Sequence, residues 1–184
     1  MSRVARNYSG DVSLSTAFDV KIFWKIREKE ETKHGKIVCA PGDRFRIELG
    51  DSKWVCDGTT LWQYDKTVGQ VIIGRLSSCD QSQLPSRMLS KYLTRYSFIE
   101  QGMKGKTVVF SWAIDSAGAQ NKGEAQRITF TVDKKNAIVQ ELTVVDKSGN
   151  ESNYTFHATT FGTQPSSAFS FDIPKGTRVL DETK

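Results

Sequence analysis

Chemistry would need a nucleophile, a metal-ligand set or a converging acid–base pair, and few residues qualify. The chain carries two histidines, His34 and His157. They lie far apart on alternating runs. Neither has a second His, Cys, Asp or Glu at a metal-ligand spacing. Asp57 and Asp65 are close enough to suggest a carboxylate pair. Both sit at turn ends, where Asp is favoured because its side chain hydrogen-bonds the local backbone. The three cysteines, Cys39, Cys56 and Cys79, lack the close spacing of a zinc site or a redox dithiol. One disulfide in an oxidising compartment would leave one thiol over. Small buried hydrophobes explain them as well. No nucleophile elbow, P-loop or dinucleotide fingerprint occurs. The expectation is a protein that is not an enzyme, with no metal and no cofactor.

The densest feature is instead apolar. Trp54, Trp62 and Tyr64 fall within twelve residues, Trp54 to Asp65. Two β-rich runs flank Asp57-Gly58, a dipeptide suited to a type I′ hairpin turn in which both central residues take φ > 0. Alternation places Trp62 and Tyr64 on one face of the second strand, Leu61 and Gln63 on the other. Such a hairpin offers a surface for apolar contact.

The elements around it are mostly strands. Residues 2–9 read as the tail of a helix, with Val4 and Tyr8 on one face at i, i+4. Phe18, Val20, Ile22, Trp24 and Ile26 then alternate with Asp19, Lys21, Phe23 and Lys25, the strongest strand pattern in the chain. Strands around Ile37–Cys39, Phe45–Leu49, the Trp54 hairpin and 70–76 follow with short connections, an antiparallel meander. The period changes near Ser77. Leu84, Met88, Leu89, Tyr92 and Leu93 recur at helical spacing, so residues ~83–95 read as an amphipathic helix. Strands resume at 96–100 and 108–114. Further ones run through Ile128–Val132, 137–146 and Tyr154–Ala158, and the apolar run Phe169–Ile173 and Val179-Leu180 end the pattern. About eleven antiparallel strands of this length make one strongly curved sheet or incomplete barrel. Its interior exceeds what its own side chains readily fill. The helix at ~83–95, with the N-terminal fragment, is then a lid or a permanent plug.

At 184 residues the chain, 1–184, is expected to be a single domain. No run reaches the length of a membrane-spanning helix. Residues 1–10 lack an apolar leader core, which fits either a cytosolic protein or a mature chain whose leader has been removed. The net charge of +5 comes from Lys and Arg spread along the chain. That excludes the clustered footprint of nucleic-acid binding and leaves solvated strand faces, with acidic partners or anionic membrane surfaces as the other use of the charge.

The stretch Asp57-Gly58-Thr59-Thr60-Leu61-Trp62-Gln63-Tyr64-Asp65 resembles the DGKTLWFYDP hairpin of the periplasmic outer-membrane lipoprotein carriers, the LolA type. Ser15-Thr16-Ala17-Phe18 is similar to the S-x-x-F that opens that family's first long strand. Gly35-Lys36-Ile37 and Phe45-Arg46-Ile47 fall where the family has its next two strands. The run from Phe169 to Asp181 resembles its F-x-F-x-P-x-G-V-x-V-x-D close. The order of these motifs covers most of the chain. At one point the chain departs: Ala40 precedes Pro41, where those carriers have an arginine that ties barrel to lid. Arg44 and Arg46 are the nearby candidates for that role.

The resemblance implies an incomplete antiparallel β-barrel with a small helical lid, a periplasmic location and an N-terminal helix truncated in this chain. It implies a monomeric carrier that holds the acyl chains of lipoproteins in an apolar cavity. The cargo would pass from an inner-membrane ABC transporter to an outer-membrane acceptor. Val20, Ile22, Trp24, Phe45, Ile47, Trp62, Phe110, Trp112, Phe130 and Phe156 are the expected cavity lining, and Met88, Leu89, Tyr92 and Leu93 the lid. Ordinary core packing explains the same residues, and a slip of one residue in register would exchange the set. The same fold also serves envelope sensors and adaptors that bind lipidated or unfolded proteins, a second reading.

Overall fold

The computed structural model describes residues 2–8, 11–78, 99–113 and 125–183. The expected lid residues Met88, Leu89, Tyr92 and Leu93, and Cys79, lie outside them. Helix α1 (Ser2–Asn7) is followed by β1 (Leu14–Trp24), β2 (Lys29–Ala40), β3 (Arg44–Leu49), β4 (Ser52–Asp57), β5 (Thr60–Asp65) and β6 (Gln70–Arg75). Then come β7 (Ile99–Lys104), β8 (Thr107–Ala113), β9 (Ala125–Asp133), β10 (Ile138–Asp146), β11 (Glu151–Phe161) and β12 (Arg178–Asp181). All twelve form one sheet in the order β12-β6-β5-β4-β3-β2-β1-β11-β10-β9-β8-β7. Two meanders, β1–β6 and β7–β11, are thus joined where β11 returns to pair with β1. The sheet is curved and does not close.

Two details differ from the sequence expectation. The chain ends in a strand that pairs parallel with β6, because residues 162–177 carry it back across the sheet before β12 begins. The run Phe169–Ile173 is not part of a strand. A short 3-10 helix, Ser166–Phe169, ends there, and the following residues have no ladder partner. Phe169 and Phe171 lie against the outer face of the sheet, while Ile173 is 41% exposed. Phe169 packs with Val38 and Ala40, and Phe171 sits 5.7 Å from the Tyr64 ring.

The core sits on the other, inner face. Phe45 of β3 and Ile128 and Phe130 of β9 belong to one buried cluster, although β3 and β9 stand far apart in the sheet order. Only a strongly curled sheet brings them together. Val4 of helix α1 and Tyr8, the residue that follows the helix, each 4% exposed, join the same cluster. The polar side of the helix ties to the β9–β10 turn: Arg3 Nη1 donates to Lys135 O at 2.9 Å, and Asn7 Nδ2 donates to Ala137 O at 3.1 Å. The i, i+4 pair read from the sequence therefore docks the helix on the sheet.

Candidate functional site

Register decides which side chains share the inner face, because directly opposed residues in an antiparallel ladder point the same way. One row across the sheet runs Phe110, Phe130, Leu142, Tyr154 and Val20. The next inner row on the β1–β6 side runs Thr16, Ile37, Ile47, Trp54 and Gln63. Leu14, Cys39, Phe45, Cys56 and Leu61 make a third. The third row is wholly buried, whereas Ile37, Ile47, Trp54, Phe110, Tyr154 and Phe156 are only partly buried and pack against the core. The inner face thus has a closed floor and a half-open apolar wall.

Of the expected lining, Val20, Phe45 and Phe130 lie in the floor, between 0% and 2% exposed. Ile47, Phe110 and Phe156 belong to the half-buried wall. Ile22 shares the alternation of Val20 but is exposed less than Trp24, which at the end of that strand is 37% exposed. The β8–β9 register sets Trp112 opposite Ile128. Trp62 does not join them. It opposes Val55 and Ile73, while its neighbour Leu61 opposes the core residue Cys56, so Trp62 belongs to the outer face.

The reason lies at the turn and in the C-terminal segment. Asp57 does not take φ > 0. Among the loop residues Gly58 does (φ 103°), and the Asp57 carboxylate accepts the N–H groups of Thr59 and Thr60, both at 2.8 Å. Asp57 therefore opens the turn instead of sitting at its centre, and Gly58-Thr59 are the central pair. Val55 and Cys56 are neighbours with opposite directions, yet both are 0% exposed. A strand covered on both faces loses its alternation, so the sequence could not show which of Leu61 and Trp62 faces in.

Sequence reasoning passed over Phe18, Trp54 and Tyr154, which share the inner face. The Tyr154 and Phe156 rings stack at 6.3 Å, and the Phe18 ring meets them at 6.0 and 6.3 Å. Gly35 makes the room: a Cβ there would lie 2.3 Å from the tip of the Phe18 ring. The signal was present, since Phe18 shares the alternation of Val20, and Tyr154 that of Phe156. Burial pushes the Tyr154 phenol above its ordinary pKa, as expected for a polar tip in an apolar setting.

On the outer face the structure joins what the sequence kept apart. Asp19 pairs with His34 and with His157, the latter at 3.0 Å, because β2 and β11 flank β1. The hydrogen bonds from His34 and then His157 hold the Asp19 carboxyl below its usual range. The two imidazoles bind different oxygens of that carboxylate, and no group of three or more His, Cys, Asp or Glu among the described residues is arranged to hold a metal ion. Arg44 and Arg46 also point outward. The Arg44 guanidinium stacks over Phe169 at 5.3 Å, and Arg46 Nη1 donates to Ala168 O at 3.3 Å and Ser170 O at 3.2 Å. They fasten the C-terminal segment to the outer face; the lid they were candidates to tie lies outside the described residues. Cys39 is a free, buried thiol pushed up to about 12 by burial, an inert core residue.

The inner face is an open curled sheet with a half-buried apolar wall, an arrangement suited to apolar contact, and the polar cluster of Asp19, His34 and His157 lies on the opposite face. The chain belongs to the outer membrane lipoprotein carrier protein LolA family, whose model matches residues 12–172. A relative named outer-membrane lipoprotein carrier protein, from Vibrio cholerae serotype O1, is 30% identical over 156 residues, 82% of this chain and 74% of the relative. Among solved structures, an uncharacterized conserved protein from Thermus thermophilus matches with a TM-score of 0.57 at 13% identity, over 98% of this chain and 96% of that one. MucB matches with a TM-score of 0.53 at 13% identity, over 97% of this chain and 63% of that one. These two likenesses show the fold.

Proposed function

We propose that the protein is a periplasmic carrier that binds the acyl chains of lipoproteins on the inner face of the sheet and moves them from the inner to the outer membrane. The observation that carries this reading is the half-buried wall of Ile47, Trp54, Phe110, Tyr154 and Phe156 above a closed core. The name of the Vibrio cholerae relative supports the cargo class. Each methylene moved out of water contributes about 0.8 kcal/mol, so burying about half of a long acyl chain gives roughly 6 kcal/mol before the cost of ordering it. No bond is made or broken. An inner-membrane ABC transporter would load the protein and an outer-membrane acceptor would unload it.

The test is retention of a synthetic triacylated lipopeptide by the purified chain, followed by release of a lipoprotein from inner-membrane vesicles. Binding that falls about tenfold or more in Ile47→Glu, with the fold intact by circular dichroism, supports the reading. A parent protein that neither retains the lipopeptide nor releases the lipoprotein overturns it.

A further inference from the structure

The longest hairpin, β1–β2, runs past the β3–β4 turn on one side, while on the other β11 pairs with β1 as far as Phe23 opposite Glu151. β2 pairs with β3 only from Gly35 onward, and the β3–β4 turn caps it where Gly50 N–H donates to His34 O at 3.2 Å. Residues Lys29 to Lys33 pair only with β1 and extend beyond that turn by about 16 Å at the ordinary rise of a strand. On the other side the β10–β11 turn props the tip, with Asn150 Oδ1 accepting Lys25 N–H at 3.1 Å.

The tip exposes apolar side chains that a solvated turn does not need. Ile26 is 86% exposed, Phe23 41% and Trp24 37%. Its charges are unbalanced. Glu30 is taken by Lys21 at 2.9 Å and Glu31 by Lys33 at 3.2 Å. That leaves Lys25, Arg27 and Lys29 against Glu28, and among the described residues no ion pair engages those three cations. A projecting knob of Phe, Trp and Ile ringed by cations suits a planar surface that is apolar below and anionic above. Aromatic rings settle at the boundary between lipid headgroups and acyl chains, and Lys and Arg are drawn to anionic headgroups. A protein partner would instead need a groove for the same knob.

We propose that the β1–β2 tip is a membrane-contact device that docks the protein reversibly on anionic phospholipid bilayers, with Ile26, Phe23 and Trp24 entering the headgroup layer and Lys25, Arg27 and Lys29 pairing with the headgroups. This goes beyond cargo binding and does not depend on it, since Lys25, Ile26 and Arg27, the residues varied below, lie past the end of β1, whose Val20 pairs with the wall residue Tyr154.

The full chain is sedimented with vesicles of phosphatidylglycerol and phosphatidylethanolamine, and with vesicles of phosphatidylcholine alone. Binding to the anionic vesicles is expected to exceed binding to the neutral ones by roughly tenfold and to fall with salt. Ile26→Asp, and separately Lys25→Glu with Arg27→Glu, are each expected to weaken it roughly fivefold or more while leaving the melting temperature and lipopeptide retention unchanged. Failure to bind any vesicle, or variants that bind like the parent, overturns the proposal. So does loss of capture of a protein partner in Ile26→Asp without any change on vesicles. Because lipopeptide retention is read on the same samples, either result leaves the carrier reading to stand or fall by itself.

Discussion

The phenol of Tyr8 accepts the backbone N–H of Val139 at 3.0 Å, and burial, opposed by that bond, pushes the group from 10.0 to about 12. Its neutral form is favoured in the folded protein. The stability this provides is complete below the unfolded value and is lost as pH rises from 10 toward 12. Helix α1 is therefore expected to undock in that window, with phenolate absorbance rising as it does, and Tyr8→Phe should remove that component of the alkaline transition. Asp19 has the opposite sign. Its lowered pKa gives stability present above the ordinary Asp range and lost as pH falls, and Asp19→Asn should flatten the acid limb of a thermal-melt series. Gly35 gives a steric test. A Cβ there would meet the Phe18 ring at 2.3 Å and the Glu48 carbonyl at 2.8 Å. Gly35→Val should cost on the order of 1–3 kcal/mol in denaturant unfolding. Residue types were legible in the sequence, but their meetings were not. Nothing local announces that His34 and His157 share one carboxylate, because that follows from the non-sequential pairing of β11 with β1.

Elements were read more faithfully than faces. The strong alternation from Phe18 to Trp24 became β1, with Val20 on the face expected. The same reasoning failed in β5, where the C-terminal segment covers the outer face and apolar residues stand on both parities. That segment also explains why Phe169–Ile173 looks like a strand: it is an apolar cover, held by side chains from β3 and β5. Arg46 is its main fastening and also donates to Glu48 at 3.0 Å. Burial works to raise the Glu48 pKa, but the Arg46 bond and the charges of Lys53 and Arg46 outweigh it and keep the carboxyl low. Arg46→Ala is expected to cost about 1–3 kcal/mol and to raise amide exchange over 166–171. An unchanged exchange pattern there would remove the fastening role.

At the scale of the molecule, one sheet is curled far enough for β3 and β9 to share a core, yet its two edges, β12 and β7, do not meet. The inner-face wall of Ile47, Trp54, Phe110, Tyr154 and Phe156 is only partly buried in that arrangement. A closed barrel of fewer strands would fill itself, whereas an open one keeps surface for a guest. The curl was foreseeable from strand number, but the wall's membership depends on register across the whole run of ladders. The central claim is that the guest lies on the inner face. It is tested by a lipopeptide carrying brominated acyl chains, whose bromine quenches nearby indole fluorescence, added to variants that retain a single tryptophan. The protein retaining only Trp54 should be quenched strongly on binding, and the one retaining only Trp62 should be untouched. Equal quenching of the two, or quenching of Trp62 alone, would contradict the account.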